Sequence, residues 1–192
     1  MPRPLPRRRS LRLDGYDYKQ AGAYFVTICT HGREFLLGAA AGGDIVLTDS
    51  GRIVQACWDD IPQHFPHADV DAVVVMPNHV HGILVIGDVG ARHGVPLRSS
   101  VRQGFAKPIS GTLATIVRSF KSAATKRINE LRRTPGAPVW QRNYYEHVIR
   151  NDAALVRIRD YIAANPAKWP EDRENPQAPC KQSKGSSEPW EI

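Results

Sequence analysis

The stretch Ala68–Gly87, "ADVDAVVVMPNHVHGILVIG", decides the fold. Both halves are apolar and rich in β-branched residues, as strands favour, and Pro77-Asn78 between them is a tight-turn pair. It reads as two strands joined by that turn. The second strand carries His79 and His81. Extended backbone sends residues i and i+2 to one face, so the imidazoles project together, about 7 Å apart along the strand. They are either a pair of nitrogen ligands for one metal ion or two buried polar groups needing partners. A strand built only for packing has little use for both.

Composition limits what surrounds this hairpin. The chain has 192 residues, enough for one domain with a core of its own. No apolar run is long enough to span a membrane, and no apolar signal core follows the basic start "MPRPLPRRRS". Cys29, Cys57 and Cys180 lie far apart with no CxxC spacing. That excludes a disulfide framework and a zinc ribbon, and the expected location is the reducing cytoplasm. The net charge of +7 points to a polyanionic partner, nucleic acid first, or to a merely solvated basic surface.

Periodicity places the remaining elements. Residues 1–20 are Pro/Arg-rich without periodicity and read as a basic arm. "AYFVTICTHG", Ala23–Gly32, is a strand, and "LLGAAAGGDIVLTDSG" a loop or small hairpin. Asp49 or Ser50 is expected to cap a helix with Ile53, Ala56, Cys57 and Ile61 on its apolar side. Residues 88–110 look like a mobile basic loop. A long helix follows over Thr112–Arg132, with Leu113, Ile116, Val117, Phe120, Ala124 and Ile128 as its apolar stripe. "VWQRNYYEHVI" is a fourth strand, and Asn151 or Asp152 caps a last helix running to about Trp169. The order strand, helix, strand, strand, helix, strand, helix predicts an α+β fold. It is the ferredoxin-like βαββαβ antiparallel sheet, with an extra C-terminal helix. The domain is expected over residues 21–169 and a disordered tail over 170–192.

That last helix, "RIRDYIAANPAKW", holds Tyr161 and Asn165 four residues apart on one face. Tyr161 offers a phenolic nucleophile and Asn165 an oxygen ligand for a hard cation such as Mg²⁺ or Mn²⁺. The plainer readings are a ring packed on the sheet and a polar helix end before Pro166. The HxHxH spacing of histidine-triad nucleotide hydrolases is absent, because Ile83 holds the third position.

"MPNHVHGIL", the basic helix, "VWQRNYYEHVIRN" and "YIAANPAKW" together resemble the REP-associated tyrosine transposases. These belong to the IS200-like, single-tyrosine branch of the HUH nucleases. The resemblance runs from about Gly22 to Trp169. It implies that His79 and His81 bind a divalent ion, Mg²⁺ or Mn²⁺, and that Tyr161, on the C-terminal helix, attacks DNA. It makes Asn165 the third ligand, where IS200-type enzymes often carry a glutamine. Tyr144 and Tyr145 are rival tyrosines, but both lie in a strand and only one can face the histidine pair. The implied substrate is single-stranded DNA bearing an imperfect hairpin from a repetitive extragenic palindrome. The implied product is a 5′-phosphotyrosine. A monomer or a homodimer fits equally.

The basic parts then gain a task. Arg7, Arg8, Arg9, Arg118, Lys121, Lys126 and Arg127 are expected to hold phosphates. Tyr144 and Tyr145 are expected to touch DNA or pack across strands, and His147 to contact backbone or phosphate rather than a metal. Trp140 and Trp169 serve either base stacking or the core. Two other functions remain open on the same fold. One is a non-catalytic hairpin DNA- or RNA-binding protein; the other is a phosphoesterase that uses water as nucleophile.

Overall fold

The computed structural model describes residues 21–87 and 112–179. The arm with Arg7, Arg8 and Arg9, the 88–110 loop and the end of the chain lie outside the described residues.

Four strands form the main sheet: β1 (Gly22–Cys29), β4 (Ala68–Met76), β5 (His79–Ile86) and β6 (Tyr145–Ile149), in the order β4-β5-β1-β6. Every pairing is antiparallel. Between β1 and β4 lie a small hairpin, β2 (Gly38–Ala41) and β3 (Asp44–Leu47), then helix α1 (Asp49–Asp59) and the short α2 (Ile61–His64). Helix α3 (Leu113–Arg132) joins β5 to β6, and α4 (Asp152–Ala164) follows β6. The expected ferredoxin-like order is present, with β5 central, and the glycine-rich stretch resolves into the hairpin.

The two faces of the sheet are covered by different helices. Val54, Cys57 and Trp58 of α1 and the expected stripe of α3 pack on Tyr24, Val26, Ile28, Val80 and Leu84. The six apolar side chains of that stripe alone supply roughly 10 kcal/mol of burial before chain entropy opposes it. On the opposite face Ala154, Ile158 and Ile162 of α4 pack on Phe25, Ile83 and Ile149. So the last helix covers the face opposite α1 and α3.

Several local expectations shift. Thr48, not Asp49 or Ser50, caps α1, its hydroxyl accepting from the Gly51 N–H at 3.1 Å. Within α1, Val54 and Trp58 join Cys57 inside, while Ala56 is exposed. β6 begins only at Tyr145. Upstream of it Trp140 makes a single bridge with Thr30. α4 stops at Ala164, before Pro166, whose ring cannot extend a helix, and the chain continues as a 3-10 helix over Pro166–Glu171.

The tail expected from Pro170 is the largest correction. The chain is packed well beyond that point, with Glu174 and Asn175 both buried. Asn175 donates to the Trp169 carbonyl at 3.0 Å and Asn78 to the Glu174 carbonyl at 2.7 Å. A polar composition reads as disorder when apolar burial is the only criterion. Here hydrogen bonds to a buried turn hold the segment instead.

Candidate active site

The β4–β5 turn is where the site is built. Thr30 donates to the Asn78 carbonyl from its N–H (2.8 Å), and its hydroxyl lies 3.0 Å from that carbonyl and 2.8 Å from the carbonyl of Glu34. The Asn78 amide nitrogen donates to the carbonyls of Glu174 (2.7 Å) and Arg33 (3.3 Å). Those two bonds fix which end of the amide is oxygen. Asn78 Oδ1 then accepts from His79 Nδ1 at 2.8 Å, so His79 carries its proton on Nδ1 and its Nε2 is a bare lone pair. Across the strand pair, His81 Nδ1 lies 2.8 Å from the Thr27 hydroxyl.

Both Nε2 atoms therefore turn inward, 3.0 Å apart. With Thr27 accepting from His81 Nδ1, they are two lone pairs facing each other, which calls for a positive centre between them. Two nitrogens about 2.1 Å from one cation and at right angles to each other lie about 3.0 Å apart, so the spacing fits neighbouring ligands of one ion. Without the ion, His81 can move its proton to Nε2 and accept from Thr27 instead. Each Nδ1 partner is the outer contact that orients a ligating imidazole.

Burial sets the electrostatics. Both imidazoles are shut off from solvent. Desolvation pushes His79 well below its usual 6.5, with His81 and Arg33 adding to the effect. Desolvation also takes His81 down to about 3, with Glu174 working weakly against it. Both rings are neutral at pH 7, as ligands must be.

Tyr161, from α4, comes into this centre as expected. Its hydroxyl lies 3.3 Å from His81 Nε2, and its ring is held edge-on to Phe25 and His81. Burial lowers the basicity of His81, so its contact with the Tyr161 hydroxyl orients the phenol.

Asp172 is the oxygen donor that groups with the histidine pair, and Asn165, the expected third ligand, sits at the end of α4. Asn165 is buried, and its side-chain oxygen has no hydrogen-bond partner. It also occupies the C-cap of α4, as its plainer reading had it. Asp172, which the sequence pattern does not single out, groups with His79 and His81, the three ligand atoms lying within 4.8 Å of one another. Its Oδ2 is 3.9 Å from His79 Nε2. Burial is the main cause that raises the Asp172 carboxyl above its usual range, against a bond from the Glu174 N–H. Two neutral imidazoles and a carboxylate suit a divalent cation that accepts mixed nitrogen and oxygen ligands. The signal available in sequence was "EDREN", acidic and close after Trp169, which itself lies 6.0 Å from the His79 ring.

The other expected residues divide. Thr27 pairs with both His81 and Tyr145, so Tyr145 shares the histidine face, and His147, paired with Phe25, does too. Tyr144 packs in the opposite core, away from the site. Arg118 and Lys126 are exposed on α3. Lys121 is half-buried, and Arg127 is engaged with Cys57 and Asp60. Trp140 and Trp169 are buried, which favours packing over base stacking.

No family model matches the chain. It is 40% identical to an uncharacterized protein of Haemophilus influenzae over 170 residues, 86% of this chain and 92% of that one, and the two belong to one family. A second Haemophilus influenzae protein, named "Putative REP-associated tyrosine transposase", is 26% identical over 79% of this chain and 74% of its own length. Among solved structures, a REP-associated tyrosine transposase bound to a REP hairpin superposes with a TM-score of 0.54 at 20% identity. That match covers 87% of this chain and 74% of that one. The chain is thus an α+β protein with the fold of a transposase. More narrowly, it is a relative of the REP-associated tyrosine transposases.

Proposed function

We propose that the protein is a metal-dependent single-stranded DNA endonuclease and strand transferase that cuts hairpin-bearing DNA through Tyr161. One observation carries the reading: the Tyr161 hydroxyl lies 3.3 Å from the same His81 nitrogen that converges with His79. His79 and His81, with Asp172 beside them or with Asn165 as the family resemblance implies, would hold Mg²⁺ or Mn²⁺. Bound there, the ion would polarise the phosphate oxygens and favour the ionised phenol.

Tyr161 gives its phenolic proton to water, its Oη attacks phosphorus, the bond to the 3′ oxygen breaks, and that oxygen takes up a proton from water. The products are a 5′-phosphotyrosine and a free 3′-OH. A phenoxide is a fair leaving group, so the same step run backwards rejoins the strand. Support for a hairpin partner comes from the superposed REP-associated tyrosine transposase, which was solved bound to a REP hairpin.

Tyr161→Phe is expected to abolish the covalent protein–DNA species on a denaturing gel while hairpin affinity stays within about twofold. Cleavage that persists in this variant would pass the nucleophile's role to Tyr145, which shares the face. Cleavage without any covalent species in the wild-type protein would favour water as nucleophile.

A further inference from the structure

A cleft of about 840 Å³ lies between α3 and the segment after it, Arg133–Arg142, and has no part in the site above. Its size is within the range that takes a whole small ligand, about 300–1,000 Å³. Lys121, Lys126, Arg133 and Arg142 line it against a single acid, Glu130. The four cations have two different jobs. Lys121 donates to the carbonyls of Gln141 (2.7 Å) and Arg142 (3.2 Å), and so fastens the segment to the helix. The side chains of Lys126, Arg133 and Arg142 are exposed and make no hydrogen bond or ion pair with any described residue. Pro135 and Pro138 give the cleft an apolar wall.

The cleft is tied to the candidate active site through β1. Gln141 donates to the Cys29 carbonyl at 2.9 Å, and Cys29 is the register partner of His79. The rear wall is thus about 10 Å, two strand spacings, from the histidine strand.

We infer that this cleft binds unpaired single-stranded DNA, with a base against the proline wall and the adjoining phosphates on Lys126, Arg133 and Arg142. The choice of DNA rests on the function proposed above. The choice of an unpaired segment rests on the wall, since a duplex offers phosphates but keeps its base faces stacked. The three cations, unpaired among the described residues, suit a polyanion threading past.

The test uses the full-length protein, fluorescein-labelled dT12 and a blunt 12-base-pair duplex, titrated at several salt concentrations. Lys126→Ala/Arg133→Ala is expected to weaken dT12 binding about tenfold and to lower the slope of log affinity against log salt by about 1.4, or 0.7 per lost phosphate contact. Duplex binding is expected to change less than twofold. Lys126→Gln and Arg133→Gln, both at exposed positions, are each expected to give half of the slope change. Unchanged dT12 affinity, or equal loss on dT12 and duplex, would overturn the inference. Scoring the Tyr161 adduct on hairpin DNA separates the two readings. An adduct with unchanged dT12 binding defeats only the cleft. A dT12-specific loss without any adduct defeats only the proposed chemistry.

Discussion

Strand β5 serves two different purposes on its two faces. Val80, Leu84 and Ile86 pack in the apolar core with α1 and α3, and Gly82 lies against Trp58 there. His79, His81 and Ile83 face α4, where burial is given to two imidazoles and a phenol rather than to aliphatic carbon. Burying polar groups costs free energy unless their partners are in place, so the second face needs Thr27, Asn78 and the 172–175 segment that the first does without. One face is specified by volume, the other by hydrogen bonds. Substitutions on each should therefore fail in different ways.

The sharpest break falls on the polar face. His79→Ala is expected to cut adduct formation with Mn²⁺ at least about a thousandfold, a loss on the scale of removing a main source of charge stabilisation. Treatment of the wild-type protein with EDTA is expected to do the same and to be reversed by Mn²⁺. Activity that survives both treatments would separate the histidine pair from metal chemistry.

On the packing face the failure is steric. A Cβ at Gly82 would lie 2.3 Å from the Trp58 ring, so only glycine allows the indole to close on the sheet. Gly82→Val is expected to cost about 3 kcal/mol in urea unfolding, with the histidine one residue away on the opposite face disturbed only secondarily. If residual folded Gly82→Val protein still binds Mn²⁺ with wild-type affinity, the two faces are energetically separable.

The same division explains what the sequence disclosed. The apolar face announces itself by period, and the α3 stripe from Leu113 to Ile128 is buried as its spacing implied. The His79/His81 pair was legible because a strand has period two. Tyr161 was legible because a family resemblance added a distant helix to that strand. Asp172 and Glu174 were not. They lie in a stretch with nothing apolar to recommend it, held by the Asn78 side-chain amide donating to the Glu174 carbonyl and by Arg33 on the Glu174 carboxylate at 2.8 Å. Contacts of that kind leave no periodic trace. The cap of α1 was misplaced by a residue for a similar reason, since Thr48, Asp49 and Ser50 are all competent caps and tertiary packing chose among them.

The last expected effect is a pH dependence that only the polar face can supply. In metal-free protein His79 and His81 stay neutral well below their ordinary 6.5, His81 down to about 3. An unfolded chain protonates both near 6.5. Between about 6.5 and 3 the unfolded state thus binds more protons, and stability rises with pH across that window. The slope approaches about 1.4 kcal/mol per pH unit for each histidine. Asp172 works the other way. Its carboxyl is raised, so its share of stability is present at low pH and lost as pH rises through its folded value. The comparison that isolates the histidine is wild type against His81→Gln, by urea unfolding in EDTA from pH 7 to pH 4. The variant is expected to lose about one proton's worth of slope. An equal slope in both proteins would mean that His81 is hydrated in solution, and the polar face would then be more open than its partners imply.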